Sequence, residues 1–307
     1  MAQQVTAGPG GRPGKHPSDS QRHDGRSTAP TVRAGKGGTP LVMVTAYDAP
    51  TARIADDAGV DVILVGDSVA MVVLGYDDTL QVTVADMAHH VAAVARARPR
   101  ALVVADLPWL SYHLSTEEAV RNAAVLIRAG AAAVKLEGGR TRVPVVHALV
   151  DAQIPVMGHL GLTPQSVHAL GGYRVQGQQA EAAGALLDDA RALADAGCFA
   201  IVLECVPREV AGLVTREVPV PTIGIGAGPD CDGQVLVLHD LLGLEERIVP
   251  KFVRRYGALK VDAVAAVAAY AADVRAHSFP SDGESYHLSD DVAAALGVDR
   301  PASSRTA

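Results

Sequence analysis

Residues 132–139 read Ala-Ala-Val-Lys-Leu-Glu-Gly-Gly, so Lys135 and Glu137 stand two apart in an otherwise apolar run. A short apolar run bounded by Gly130 and Gly138 suits a strand of parallel sheet covered on both faces. At a strand's period of two, Lys135 and Glu137 point to the same side. Neither side of such a strand is wet, and an unpaired charge buried there costs on the order of several kcal/mol. The two charges therefore need partners, and the pattern places partners at the ends of neighbouring strands.

The same pattern repeats on either side. Apolar, β-branched runs occur at 41–48, 61–68, 101–108, 154–161, 200–206 and 221–228, which with 132–139 makes seven candidate strands. Between them lie Ala-rich stretches with helical spacing at 51–58, 84–97, 117–129, 145–152, 180–196 and 209–217. Ala-Gly pairs at 58–59, 129–130 and 196–197 read as left-handed helix ends before the next strand. Ser115 with Glu118 reads as the cap of the third helix. Uninterrupted βα units leave a doubly wound sheet or a (β/α)8 TIM barrel, and we read the barrel. Its eighth strand is the least defined, because 235–239 suits either a strand or a helix start. Residues 261–276 read as a long Ala-rich helix, and those from about Ser278 onward as an arm that packs on a neighbour.

The strands end on reactive residues. One run stops at Asp67 and Ser68, another at Asp106, another at Lys135 and Glu137, another at His159 and another at Glu204. Any one of these alone has a plain explanation. A strand-end Asp commonly caps the following helix, and a lone buried His is commonly a satisfied core residue. In a barrel, however, the carboxyl ends of all strands converge at one mouth, where active sites sit. Several carboxylates with few His and no clustered Cys point to a hard cation bound through oxygen, most simply Mg²⁺. A 2-oxo acid can chelate such an ion, which then favours loss of the proton beside the ketone. A remaining carboxylate serves as base.

Composition narrows the classes further. The chain has 307 residues and a formal net charge of −7, with 49% hydrophobic residues. That supports a large core and argues against nucleic acid or an anionic membrane as partner. No apolar run reaches the ~18 residues of a membrane span, and the first residues lack a secretory apolar stretch. A cytoplasmic location is expected. The three cysteines, Cys198, Cys205 and Cys231, have no metal spacing and are expected as buried, reduced thiols. Residues 1–38 are rich in Gly and Pro, carry six basic against two acidic residues, and include only two Val as branched aliphatics. They are expected to form a disordered basic tail, dispensable for folding. The barrel is expected over 39–288, with a partly disordered C-terminal extension at 289–307.

Several strings together carry a family resemblance. They are Val65–Ser68, Thr79–Asp86, Ala105–Pro108, Val134–Gly139, Gly158–Gln165, Gly171–Gly177, Leu203–Pro207, Ile223–Gly228 and Asp232–Gln234. In this order, over about residues 39–285, the chain resembles the ketopantoate (3-methyl-2-oxobutanoate) hydroxymethyltransferases. The resemblance implies a (β/α)8 barrel that uses one Mg²⁺ per subunit. It implies transfer of a hydroxymethyl group from 5,10-methylenetetrahydrofolate to 3-methyl-2-oxobutanoate. The product would be 2-dehydropantoate, on the route to pantothenate and coenzyme A. By motif, Asp67 and Asp106 resemble direct metal ligands and Glu137 a second-sphere or variable one. Asp67, Ser68, Asp106 and Lys135 resemble substrate-binding residues. His159 would stand near the keto oxygen, and Glu204 matches the proton acceptor. A homo-oligomer, often a decamer, is implied as well.

Three rival readings remain at this point. A Mg²⁺ lyase or mutase of the phosphoenolpyruvate type also uses carboxylates at a barrel mouth. A Schiff-base aldolase would use Lys135 as nucleophile. A barrel that binds its ligand without turnover would not need Glu204. The loop Gly171–Gly177 reads as a wall over the site.

Overall fold

The computed structural model describes residues 25–247 and 250–298. In chain order the elements are α1 (Ala29–Ala34), β1 (Leu41–Thr45), α2 (Ala49–Asp57), β2 (Val62–Val65), α3 (Val69–Val72) and α4 (Val84–Arg96). Then come β3 (Leu102–Asp106), α5 (Thr116–Ala129), β4 (Ala133–Glu137), α6 (Val143–Asp151), β5 (Val156–Gly161), α7 (Val167–Leu170) and α8 (Ala180–Asp195). The chain finishes with β6 (Ala200–Glu204), α9 (Arg208–Glu217), β7 (Thr222–Ile225), β8 (Gly233–Leu236), α10 (Leu238–Leu242), α11 (Leu259–Arg275) and α12 (Asp290–Leu296).

The strands pair in sequence order, all parallel, and β8 closes onto β1. This is the expected (β/α)8 barrel. The eighth strand is Gly233–Leu236, and α10 starts two residues later. The ambiguous segment 235–239 thus holds the end of one element and the start of the next. Gly59, Gly130 and Gly197 all take positive φ, as the Ala-Gly pairs predict, and the Ser115 side chain accepts from Glu118 N.

Strand alternation divides the core in two. Ile63, Val65, Val103, Val134, Leu136, Ile201 and Leu203 face the surrounding helices. Met43, Val62, Leu64, Leu102, Val104, Ala133, Met157, Val202 and Val235 fill the barrel interior. The interior columns then turn polar toward the carboxyl ends. Leu102 and Val104 are followed at the same parity by Asp106, Ala133 by Lys135 and Glu137, Met157 by His159, and Val202 by Glu204. Period two thus carries apolar filling straight into charge.

The other end of the interior is closed by a segment expected to be tail. Residues 29–34 form α1, opened by Thr28, whose side chain accepts from Thr31 N, with Pro30 in the first turn. Ala29 and Val32 are buried and join the interior cluster with Leu41 and Met43. Lys36 pairs with Asp232 at 2.9 Å, donates to the Thr215 carbonyl, and Gly37 N donates to Asp232. The expectation of a disordered tail reaching residue 38 is therefore corrected for the part from residue 25 on: Ala29 and Val32, on a capped helix, pack onto the barrel interior, whose rim supplies the rest of the contact. Residues 1–24 of that expected tail lie outside the described residues. Within the expected C-terminal extension, residues 290–296 form α12 with Ala293 buried, while 299–307 lie outside the described residues.

Among the described residues no helix is long and apolar enough to cross a membrane. Replacing Val32, 2% exposed, with Asp places an unpaired charge in the plug. A destabilisation of roughly 3 kcal/mol and a fall in melting temperature of roughly 6 °C or more are expected by calorimetry. An unchanged Tm would show that α1 does not seal the barrel.

Candidate active site

The register of the strands brings the charged residues side by side. Asp106 of β3 is level with Lys135 of β4, and their side chains form an ion pair at 2.9 Å. Glu137 is level with His159 of β5, and His159 Nδ1 stands 3.4 Å from Glu137 Oε1. Lys135 Nζ is 3.1 Å from the same Nδ1. On the far side, His159 Nε2 stands 3.2 Å from Glu204 Oε2. Asp67 follows β2, where its backbone N–H donates to Asp106 Oδ2 at 3.0 Å. Ser68 Oγ is 2.9 Å from the Tyr47 hydroxyl. All seven expected residues line one cavity of about 1000 Å³.

Asp67, Asp106, Lys135, Glu137 and His159 are all at most 4% exposed. Burial followed by the Asp106 and Glu137 charges pushes the Asp67 carboxyl well above its ordinary range. Burial also raises Asp106, against the pull of Lys135. Burial opposes the Lys135 charge, but Asp106, Glu137 and Asp67 outweigh it and hold the ammonium well above its usual range. For Glu137, burial is outweighed by His159, Lys135 and the Gln165 N–H, so its carboxyl lies below the usual range. Burial and the Lys135 charge disfavour imidazolium at His159, yet Glu137 and Glu204 raise it to about 9.

Three buried carboxylates face one lysine, and two of them are destabilised as anions. A divalent cation would correct that deficit. Among the described residues, no three His, Cys, Asp or Glu side chains enclose an ion by themselves. Mg²⁺ is commonly held by one or two carboxylates, with water and substrate completing its shell. Asp106 Oδ1 is buried with no hydrogen bond of good geometry, only the Lys135 ion pair. Both Glu137 oxygens are occupied, by His159 and by Gln165 N, which suits a place behind the ion rather than on it.

The cavity continues outward past Glu204. Tyr76, Tyr173, Val175 and Phe252 line it, so the loop Gly171–Gly177 forms a wall as expected, anchored by Gln176 N donating to Cys205 O at 2.9 Å. Cys205 departs from the expectation of buried thiols: it is half-buried and lines the cavity.

The family model for ketopantoate hydroxymethyltransferase matches residues 26–282. The chain belongs to this family. Among ketopantoate hydroxymethyltransferase relatives, it is 54% identical over 266 residues to the 3-methyl-2-oxobutanoate hydroxymethyltransferase of Syntrophobacter fumaroxidans, covering 86% of this chain and 94% of that one. It is 58% identical over 274 residues to the enzyme of the same name from Methylobacterium sp. (strain 4-46), covering 88% and 94%. Among solved structures, the phosphoenolpyruvate phosphomutase of Streptomyces platensis subsp. rosaceus aligns with a TM-score of 0.56 at 16% identity, over 88% of this chain and 95% of that one. At that identity the likeness is one of fold.

Some neighbours of the site were not legible. Gln165, Tyr112 and Tyr47 are buried around the carboxylates. They are uncharged, and Gln165 lies in a Pro-containing turn that reads as a connection. Gly161 has a clearer signal, a glycine ending the His159 strand. Its φ is +90°, and a Cβ there would come within 2.2 Å of the Glu204 carbonyl oxygen, which accepts from Leu162 N at 2.8 Å. Gly161→Ala should cost at least about 1 kcal/mol and displace Glu204. Reduced turnover together with a lower Tm is expected, and retention of both at parental values would refute the tight approach of β5 to β6.

Proposed function

We propose that the chain transfers a hydroxymethyl group from 5,10-methylenetetrahydrofolate to 3-methyl-2-oxobutanoate, with one Mg²⁺ per subunit, giving 2-dehydropantoate for pantothenate and coenzyme A synthesis. The observation that carries this reading is Glu204: a carboxylate directed into the cavity, braced by His159, and facing the Asp67–Asp106–Lys135 cluster. Asp67 and Asp106 would hold the ion, with Glu137 behind them. When bound, Mg²⁺ supplies Lewis-acid polarisation of the keto group.

The protein's own residues divide the remaining work. Ser68 and Lys135 offer a hydroxyl and a fixed positive charge for the substrate's carboxylate and oxygens. Glu204 Oε2 accepts the C3 proton, and His159 keeps that carboxylate oriented. The resulting nucleophilic carbon bonds to the folate methylene, the methylene–nitrogen bonds break, and water supplies the hydroxyl. Tetrahydrofolate leaves. The size of the cavity and its apolar outer wall suit a keto acid and a pteridine together. Lys135 keeps its proton among three carboxylates, which opposes the Schiff-base route, and a cytoplasmic location is part of the proposal.

The α11 helix supports the expected homo-oligomer, for which the family resemblance suggests a decamer. No residue of this 17-residue helix is buried, and Val261, Val264, Val267 and Tyr270 are 56–66% exposed. A helix of this length is marginal in water without packing, and an exposed apolar stripe marks an interface. The double substitution of Val264 and Val267 by Asp should shift the sedimentation coefficient to a smaller species. An unchanged assembly would remove α11 from the interface.

Glu204→Gln and Asp67→Asn test the assigned roles. With Glu204→Gln, Mg²⁺ and 3-methyl-2-oxobutanoate should still bind. Exchange of the C3 proton into deuterated water should fall by about 10²-fold or more. Asp67→Asn should weaken ion and substrate binding together. Parental exchange in Glu204→Gln would move the base elsewhere, with His159 the next candidate.

A further inference from the structure

The geometry points to Gln165 as a positioning residue that holds two of the three buried carboxylates in the arrangement a divalent cation needs. This inference rests on the Mg²⁺ reading above. Gln165 is 5% exposed and sits in the 3-10 turn Pro164–Ser166 that follows β5. Ser166 N donates to Thr163 O at 2.8 Å, which turns the chain back beneath the mouth.

From there one residue reaches both acids. The Gln165 backbone N–H donates to Glu137 Oε2 at 3.0 Å. Its side-chain Nε2 donates to Asp67 Oδ2 at 2.8 Å and to the Leu107 carbonyl at 2.9 Å. Its Oε1 accepts from the Tyr112 hydroxyl at 2.6 Å, and that hydroxyl accepts from Glu137 N at 3.1 Å.

These partners determine which way the amide faces. The Leu107 carbonyl has no proton to give, so a nitrogen must face it. The Tyr112 hydroxyl accepts from Glu137 N and has two acceptors for its own proton, Gln165 Oε1 at 2.6 Å and the Glu137 carbonyl at 3.3 Å, of which the Gln165 contact is the shorter. The Leu107 carbonyl therefore sets the orientation, the short Tyr112 contact agrees with it, and that orientation directs an N–H at Asp67. A donor there fixes the Asp67 carboxylate through Oδ2. The same turn anchors Glu137, so the spacing between Asp67 and Glu137, which repel, is set by a neutral residue belonging to neither strand. Asp106 is the carboxylate Gln165 does not touch, and Lys135 holds that one.

Glu and Met at position 165 separate the roles of shape and donor. Glu is isosteric but has no N–H to offer Asp67 and adds a negative charge when ionised. Met approximates the volume and offers neither. The experiment is calorimetric titration of each purified full-length protein with MgCl₂, without substrate, together with melting curves in EDTA and in Mg²⁺. Loss of a group that orients metal ligands typically weakens metal affinity 10–100-fold. A rise of about that size in Kd is expected for Gln165→Glu and Gln165→Met, with an EDTA melting temperature near the parent's and a diminished Mg²⁺-induced rise. Tyr112→Phe, which removes one hydroxyl, should weaken binding in the same direction by less. Parental Mg²⁺ affinity in the variants, whether or not they melt lower in EDTA, would reduce Gln165 to packing and overturn the inference. If the parent itself binds no Mg²⁺, the metal reading fails and this inference falls with it.

Discussion

A dry barrel interior will not hold three carboxylates against one ammonium unless each acid is given something to lean on. The mouth of this barrel meets that demand acid by acid. Asp106 has Lys135, level with it on the next strand. Glu137 has His159, again level across the register. Asp67 lies beyond the end of its strand and has an amide instead. What the protein does not neutralise faces the cavity, and that residual negative charge is where the proposed cation and chelating substrate would sit. Structure and chemistry are thus one electrostatic problem: the groups that would be most costly to bury are those whose unmet demand the ligand satisfies.

The place of Glu204, the proposed base, follows from the same arrangement. His159 lies between Glu137 and Glu204, so the imidazole links the acids around the proposed ion to the one proposed to face the substrate. Because the linkage runs across adjacent parallel strands, it is as rigid as the sheet. The outer wall is of another kind. Tyr173 and Val175, both half exposed, come from a loop, which suits a part of the cavity that has to admit a second, larger molecule.

Most of this was legible because period two holds along each strand. A column that runs Leu102, Val104, Asp106, or Ala133, Lys135, Glu137, announces both an interior and its polar end. The eighth strand was hard to place because Gly233 and Gln234 break the apolar run and α10 begins almost at once. The N-terminal plug was missed because Val32 is a single apolar residue in a Gly-rich, basic segment. Its burial depends on an interior cluster that includes Leu102, Phe199 and Ile223, side chains distant in sequence. Gln165 was illegible for a different reason. Its importance lies in what it donates to, and an uncharged residue in a turn carries no mark of that until Asp67, Leu107 and Tyr112 are brought around it.

Asp232 has a significance beyond holding the plug. Its backbone carbonyl accepts from Leu41 N at 2.9 Å, its carboxylate accepts from Gly37 N and Thr222 N, and it pairs with Lys36. These bonds draw β8 against β1 at the seam between the first and last strands. A sheet fastened in this way has no outer strand with a row of unpaired N–H and C=O groups, and so no template on which another chain can extend it. Among the described residues, what is left exposed for contact between copies is helix and loop. If α11 is the interface proposed above, its apolar surface brings no added risk of runaway strand-on-strand growth.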